Sequence, residues 1–225
     1  MALSYAIQLQ GQESIARFTD STIEIDGIQD TAWDTIQPSS SFWQYFPSDS
    51  IQAPQQTQVK FLFDNQNLYV LIVAEADYDN FITPSLRRDF SSRNGDSVTL
   101  VLDTFNDGTN AFLFGTNPEG VQREALISNG GSNFPQDFNL SWDVKWEVAV
   151  QKFEGGYRAE MKIPFSSIRY ADNTTDWRVN VYRSEIAKNI SSTWAKIPRN
   201  QSIAGLAYMN TLAFDKELPK AKTPI

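Results

Sequence analysis

Short segments in which apolar and polar residues alternate recur along most of the chain, and turns rich in Gly, Asn, Asp and Pro separate them. Residues 57–63 and 142–150 alternate in this way, which is typical of half-buried strands, whereas residues 68–74 are continuously apolar, which is typical of a strand covered on both faces. Turns spaced about 8 to 12 residues apart favour a sandwich. The pattern predicts an all-β fold, an antiparallel β-sandwich of jelly-roll or immunoglobulin-like type with about ten to eleven strands and short helical turns.

The composition is typical of one large β domain with a substantial core, since 41% of the 225 residues are apolar, with 15 Phe, 8 Tyr and 6 Trp. We expect an N-terminal extension at residues 1–20, the sandwich at residues 21–213, and a Lys- and Pro-rich exit linker at residues 214–225. The longest apolar run, residues 68–74, is far shorter than the roughly 18 residues that a membrane-spanning helix needs.

The start of the predicted sandwich combines two short elements. Residues 22–27 alternate and end at Asp-Gly, which predicts a short strand and a turn. Residues 30–36 follow with an Asp in a capping position and apolar residues at helical spacing, which predicts one helical turn. We expect Trp33 and Ile36 in that turn to cover one end of the core.

The absence of His and Cys removes most catalytic and metal chemistry. Ser-His-Asp and Cys-His nucleophiles, thiolate or imidazole zinc sites, and disulfides all need one of these residues. What remains is chemistry of carboxylates, Lys or Tyr, and hard cations held by oxygen ligands. The net charge of −8, from 27 acids and 19 bases, argues against nucleic acid as a partner.

Acidic and basic side chains concentrate at strand ends between residues 86 and 120, where polar groups meet solvent or a ligand. Phe105 interrupts the alternate-oxygen spacing of an EF-hand in residues 103–108, but a sandwich can assemble a calcium site from separate loops. An equally simple interpretation is that these acids cap turns and pair with neighbouring arginines. The candidate calcium ligands are Asp89, Asp96, Asp103 and Asp107.

Several motifs in a fixed order resemble one known family. The motifs include IEIDGIQDTAW, DSVTLVLDTFND, YRAEMKIPFSSIRY and WAKIPR, and they span about residues 20–212. This ordered set resembles family 9 carbohydrate-binding modules and their DOMON-like relatives. Within that group it is similar to the N-terminal domain of an uncharacterised bacterial family of outer-membrane β-barrel proteins.

The resemblance implies a β-sandwich that binds a glycan and performs no catalysis, with structural calcium as a cofactor. It also implies an extracytoplasmic location, in the periplasm or on the bacterial surface, and a C-terminal outer-membrane barrel as a further partner.

Tryptophans near polar loops are the candidates for stacking on a sugar, because an indole face complements the C–H face of a pyranose. Trp43, Trp142 and Trp194 border such loops, whereas Trp146 and Trp177 are in phase with apolar neighbours and are expected in the core. Two arginines could hold sugar hydroxyls or an acidic group through their forked donors, although ion pairing and solvation explain them too. These residues are Arg87 and Arg88.

Two other functions remain compatible with the sequence. The domain could dock onto its own barrel or onto a partner protein without binding sugar, and an exposed apolar patch would then mark the interface. It could also be a glycosidase that uses two carboxylates, separated by about 5–5.5 Å for retention or about 6.5–9.5 Å for inversion. No motif in the chain matches a catalytic signature.

Overall fold

The structure is a computed structural model that describes residues 12–77 and 80–220. It contains 13 strands and four short 3-10 helices, which confirms the all-β prediction and adds strands to the expected count. The 3-10 helices are Thr31–Thr35, Asn129–Gly131, Phe165–Ser167 and Ile186–Lys188. The strands are β1 (Glu13–Phe18), β2 (Trp43–Phe46), β3 (Thr57–Phe63), β4 (Asn67–Glu75), β5 (Ser97–Asp103), β6 (Ala111–Thr116), β7 (Gln122–Ile127), β8 (Phe138–Asn139), β9 (Glu147–Phe153), β10 (Gly156–Pro164), β11 (Asp176–Glu185), β12 (Ile190–Thr193) and β13 (Asn210–Phe214).

The strands form two sheets that share β1. The first sheet has the order β8-β7-β6-β5-β11-β13-β1, and β12 pairs with both β11 and β2 beside it. The second sheet has the order β1-β3-β4-β10-β9. Strand β1 is parallel to β13 over its first four residues and parallel to β3 at Arg17 and Phe18, while the other strand pairs are antiparallel.

The main core lies between the two sheets and follows the period-2 alternation of the strands. In β4, Leu68, Val70 and Ile72 point into this core, while Tyr69 and Leu71 belong to a second cluster on the opposite face. This arrangement confirms that the continuously apolar strand is covered on both sides.

A segment that we call the strap, residues 23–36, covers the outer face of the second sheet. The prediction of a strand at residues 22–27 was wrong, because this part has no ladder partner and instead lays Ile23 and Ile25 against the sheet. The predicted helical turn is present as Thr31–Thr35. Trp33 is fully buried on this outer face, which is not the end of the core that we expected.

A buried carboxylate fixes the strap to the sheet. Glu160 is 0% exposed, and its two oxygens accept hydrogen bonds from Trp33 Nε1 at 2.9 Å and from the Gly27 amide at 3.3 Å. Gly27 has a φ of 80°, and a Cβ there would lie 2.8 Å from the Gln151 amide nitrogen. Only glycine therefore permits this close passage of the strap over the edge of the sheet.

The sandwich in the structure extends past both of the boundaries that we placed at residues 21 and 213. Strand β1 lies within the stretch assigned to the N-terminal extension, yet it belongs to both sheets. After β13, Leu218 is buried and the Tyr170 hydroxyl donates a hydrogen bond to the Pro219 carbonyl at 2.7 Å. The described part of the predicted linker therefore packs on the sandwich as far as Pro219.

Candidate ligand-binding cleft

The outer face of the first sheet carries a cleft of about 530 Å³. Strands β7 and β11 contribute its floor, and the loops at residues 89–93, 132–140 and 202–204 form its walls together with the end of β2. Clefts of this size with apolar walls and a few polar groups are the usual form of a small-ligand site. The aromatic rings that line it are Tyr45, Phe46, Phe90, Phe134, Phe138 and Tyr182.

A guanidinium group lies in the floor of the cleft. Strand β7 alternates, so that Glu124 points into the core while Arg123 points outward with the buried Ala125. Arg123 is only 5% exposed, and its Nη1 donates to Ser92 Oγ at 3.1 Å and to the Tyr182 hydroxyl at 3.3 Å. Within residues 12–77 and 80–220, no carboxylate lies within 4.0 Å of this guanidinium.

The rim of the cleft combines an exposed ring with a second guanidinium. Phe134 is 38% exposed, and the Arg93 guanidinium lies 4.7 Å from the centre of its ring. Phe138 supports Phe134 from below in an edge-to-face contact at 5.1 Å. Burial raises the pKa of Tyr45, whose hydroxyl donates to the Gln201 carbonyl at 2.6 Å, so this ring is held in place as a neutral phenol.

The predicted arginines lie outside this cleft. Arg88 forms ion pairs with Glu124 and with Asp143, and its Nη2 also donates to the Val144 carbonyl at 3.3 Å. Burial raises the pKa of Glu124, whose second oxygen accepts from Trp146 Nε1 at 3.2 Å. Arg87 is exposed, and its own amide donates to Ser85 Oγ.

The three predicted tryptophans do not converge on one site. Trp194 is 0% exposed and donates from Nε1 to Gln12 Oε1 at 3.0 Å, so neither face of its ring is open to a ligand. Trp142 is partly buried against Phe112, with ring centres 5.4 Å apart. Trp43 is partly buried beneath the Lys196 ammonium, which lies 4.2 Å from its ring centre.

Asp96 and Asp103, two of the four predicted calcium ligands, are buried and have backbone amides as partners. Asp96 accepts hydrogen bonds at 2.7 Å from the Ile82 amide and from the Ile186 amide. Asp103 accepts from the Gly108 amide at 2.9 Å and lies 3.7 Å from the Arg178 guanidinium. Amide donors already use the oxygens that a calcium ion would need.

The other two predicted calcium ligands, Asp107 and Asp89, are exposed and also accept hydrogen bonds from backbone amides. Asp107 accepts from the amides of Thr109 and Asn110, which lowers its pKa against the opposing effect of burial. Asp89 lines the cleft and accepts from the Glu124 amide at 3.3 Å. Among the described residues, no group of three or more acids converges as a metal site. The four aspartates therefore do not fit a single calcium site.

The residues that form the cleft carried only a weak signal in the sequence. Arg123 interrupts the outward face of β7, where Ala125 and Ile127 are buried. A charged residue in phase with buried apolar neighbours indicates a charge for which the fold must provide hydrogen-bond partners. Phe134 carried no such signal, because it lies in a loop whose neighbours are set by the tertiary structure.

Comparison with known proteins gives a consistent picture of the fold. Residues 25–214 match the model of a family described as carbohydrate family 9 binding domain-like. No curated protein is similar enough in sequence to be matched.

Solved structures with the same architecture share little sequence with the chain. A family 9 carbohydrate-binding module from Caldicellulosiruptor kristjanssonii in complex with cellotriose is similar at a TM-score of 0.64 and 14% identity, over 95% of this chain and 99% of that chain. The same kind of module from this organism in complex with glucose gives 0.63 and 14%, over 95% and 100%. A putative carbohydrate-binding protein from Bacteroides uniformis gives 0.69 and 12%, over 92% and 100%. Since the family model covers most of the chain, the protein belongs to the carbohydrate family 9 binding domain-like family.

Proposed function

We propose that this domain binds carbohydrate without catalysing a reaction, and that the cleft on the outer face of the first sheet is the binding site. The observation that carries the proposal is the combination of an exposed ring, Phe134, and polar groups in one cleft of about 530 Å³. The family assignment and the similar modules found with cellotriose and glucose support it.

The chemistry of the cleft suits a sugar ring. Phe134 offers a partly exposed ring face that can pack on the C–H face of a pyranose. Hydroxyl groups of the sugar can be bound by Arg123, by the Asp89 carboxylate and by the serines at residues 91 and 92, all of which line the same space. A ligand in this position would be oriented by donors and acceptors from the floor of the cleft and from the loop at residues 89–93.

Calorimetric titration with a broad panel of soluble oligosaccharides tests the proposal. We expect at least one glycan to bind, and Phe134→Ala to weaken its affinity by about tenfold, because a stacked ring contributes on the order of 1–2 kcal/mol. The matched control is Phe105→Ala, since Phe105 is a similarly exposed ring, at 46%, outside the cleft. The control should bind as the unmodified protein does.

Two results would contradict the proposal. One is the absence of binding heat across the panel at millimolar glycan, with and without calcium. The other is an equal loss of affinity in the Phe134 and Phe105 variants, because the cleft would then have no special part in recognition.

Location, partner and cofactor are finer proposals that rest on the sequence resemblance. We propose an extracytoplasmic domain that precedes an outer-membrane barrel, in the periplasm or at the cell surface. No helix among the described residues is long and apolar enough to span a bilayer. Protease accessibility of the domain in intact cells distinguishes the two sides of the outer membrane. Calcium is the proposed cofactor, although the four aspartates do not form a single site for it. Thermal unfolding in the presence of calcium and of a chelator tests whether calcium stabilises the domain.

A further inference from the structure

The buried arginine in the floor of the cleft has no counter-charge of its own. Arg123 is 5% exposed, and its hydrogen-bond partners in the described chain are two neutral hydroxyl groups, both of which contact Nη1. Nε and Nη2 have no acceptor among those residues. A guanidinium cannot shed its proton at ordinary pH, so its desolvation is not relieved by neutralisation.

Two other guanidinium groups of the sandwich, one buried and one 28% exposed, have an acidic partner. Arg183 is 1% exposed and has Glu185 Oε1 at 3.2 Å. Arg178 has Asp103 at 3.7 Å and also donates to the Leu206 carbonyl at 2.6 Å. Arg123 therefore stands apart as a buried cation that lines a cavity and lacks an acidic partner in the described structure.

A second cation lies at the rim of the same cleft. The Arg93 guanidinium is placed over the Phe134 ring at 4.7 Å, and no carboxylate of the described chain lies within 4.0 Å of it. Asp89 is the acidic residue that lines the cleft, and among the described residues it forms no ion pair with Arg123 within 4.0 Å. The cleft thus carries excess positive charge on a chain whose net charge is −8.

From this juxtaposition we infer that the cleft binds an acidic glycan. Arg123 holds the carboxylate of one uronic acid residue, and the rest of the oligosaccharide passes Arg93. This inference rests on the proposed function and names the class of sugar. A carboxylate would supply acceptors for the unused nitrogens of Arg123, and a forked pair of charge-assisted hydrogen bonds suits that geometry. The phenyl ring of Phe134 would pack against the neighbouring sugar.

The test compares an oligogalacturonate with the same oligosaccharide after reduction of its carboxylates to hydroxymethyl groups. We expect the acidic form to bind at least about tenfold more tightly at low salt, because a hydrogen bond to a charged group is the stronger kind. The preference should shrink as salt is raised. Arg123→Met should bring the affinity ratio of the two oligosaccharides close to one.

A second variant keeps the test decisive if the Arg123 variant does not fold. Arg93→Gln changes an exposed rim residue and should lower the preference for the acidic oligosaccharide by about threefold. Its matched control is Arg158→Gln, because Arg158 also lies over a phenyl ring, at 5.4 Å from Phe153, but on the other sheet. The control should leave the ratio unchanged.

The outcomes separate this inference from the proposed function. Equal or tighter binding of the carboxyl-reduced oligosaccharide, or an unchanged ratio in both the Arg123 and Arg93 variants, overturns the inference and leaves carbohydrate binding in place. Absence of binding by every glycan, neutral or acidic, overturns both.

Discussion

Glu160 on the outer face of the second sheet and Arg123 on the outer face of the first are both buried charged residues, but their surroundings differ. On the second sheet, Glu160 receives donors from Trp33 and Gly27 of the strap, which closes over it. On the first sheet, Arg123 has two hydroxyl partners and a cleft above it. The protein's own chain therefore covers the charge on one face, whereas the charge on the other face lies beneath the cleft in which we propose that a ligand binds.

Removal of the Trp33 side chain, which holds the strap on the sheet, should cause the largest loss of stability. Trp33→Ala should lower the free energy of unfolding by about 3–5 kcal/mol, since it empties a fully buried site and takes a donor from Glu160. Urea unfolding measures the loss. Phe105→Ala serves as the control and should change stability by less than about 0.5 kcal/mol. A loss below about 1 kcal/mol in the Trp33 variant would show that the strap contributes little to the fold.

The pH dependence of stability tests the carboxylate beneath the strap. Burial raises the pKa of Glu160 from its ordinary value to about 7, against the lowering effect of the Trp33 hydrogen bond. The folded pKa is above the unfolded one, so this contribution to stability is complete below about pH 4.5 and is lost as the pH rises through 7. Its full size is on the order of 3 kcal/mol.

Glu160→Gln should therefore flatten the fall in unfolding free energy between pH 5 and pH 8. Part of the slope should remain, because burial also raises the pKa of Glu185 to about 7. Chemical denaturation at several pH values in this range measures the slope. An identical slope in the variant and the unmodified protein would mean that Glu160 does not titrate there.

Substitution of the buried charge in the cleft should not lower the free energy of unfolding, in contrast to substitution of Trp33. Arg123→Met should leave the free energy of unfolding unchanged or raise it by about 1 kcal/mol in the absence of ligand, because an apolar side chain replaces a buried cation without a counter-ion. Denaturant unfolding of the same variant that is used for glycan titration provides the measurement. A loss of more than about 2 kcal/mol would make Arg123 a structural residue and would remove the contrast between the two faces.

Strand positions were predictable because alternation is a local property. Strand β3 was placed at its observed residues, and β4 nearly so, since their side chains must alternate between core and outer face. The same rule failed at residues 22–27, where Ile23 and Ile25 alternate because they pack against a sheet and not because they join one. Periodicity reports which side chains are buried, but it does not report which backbone groups are paired.

The candidate site was less predictable because distant segments assemble it. Arg123 and Tyr182 are brought together by the order of strands in the first sheet, and no local pattern encodes that order. The sequence prediction also favoured tryptophan rings as stacking partners. Trp194 is buried, however, and the rings of the cleft are phenyl and phenol groups. Polar loop neighbours in the sequence did not indicate exposure of the ring in the fold.

The shared strand β1 has a consequence for how the chain folds. Its first half pairs with β13, nearly 200 residues away in the sequence, through contacts such as Glu13 with Thr211. Its second half pairs with β3, so β1 joins the two sheets only when both β13 and β3 are in place. Contacts of such long sequence separation slow folding, because the entropy of closing the loop is lost before the contact forms. During synthesis, the joint between the two sheets can close only after β13 has left the ribosome.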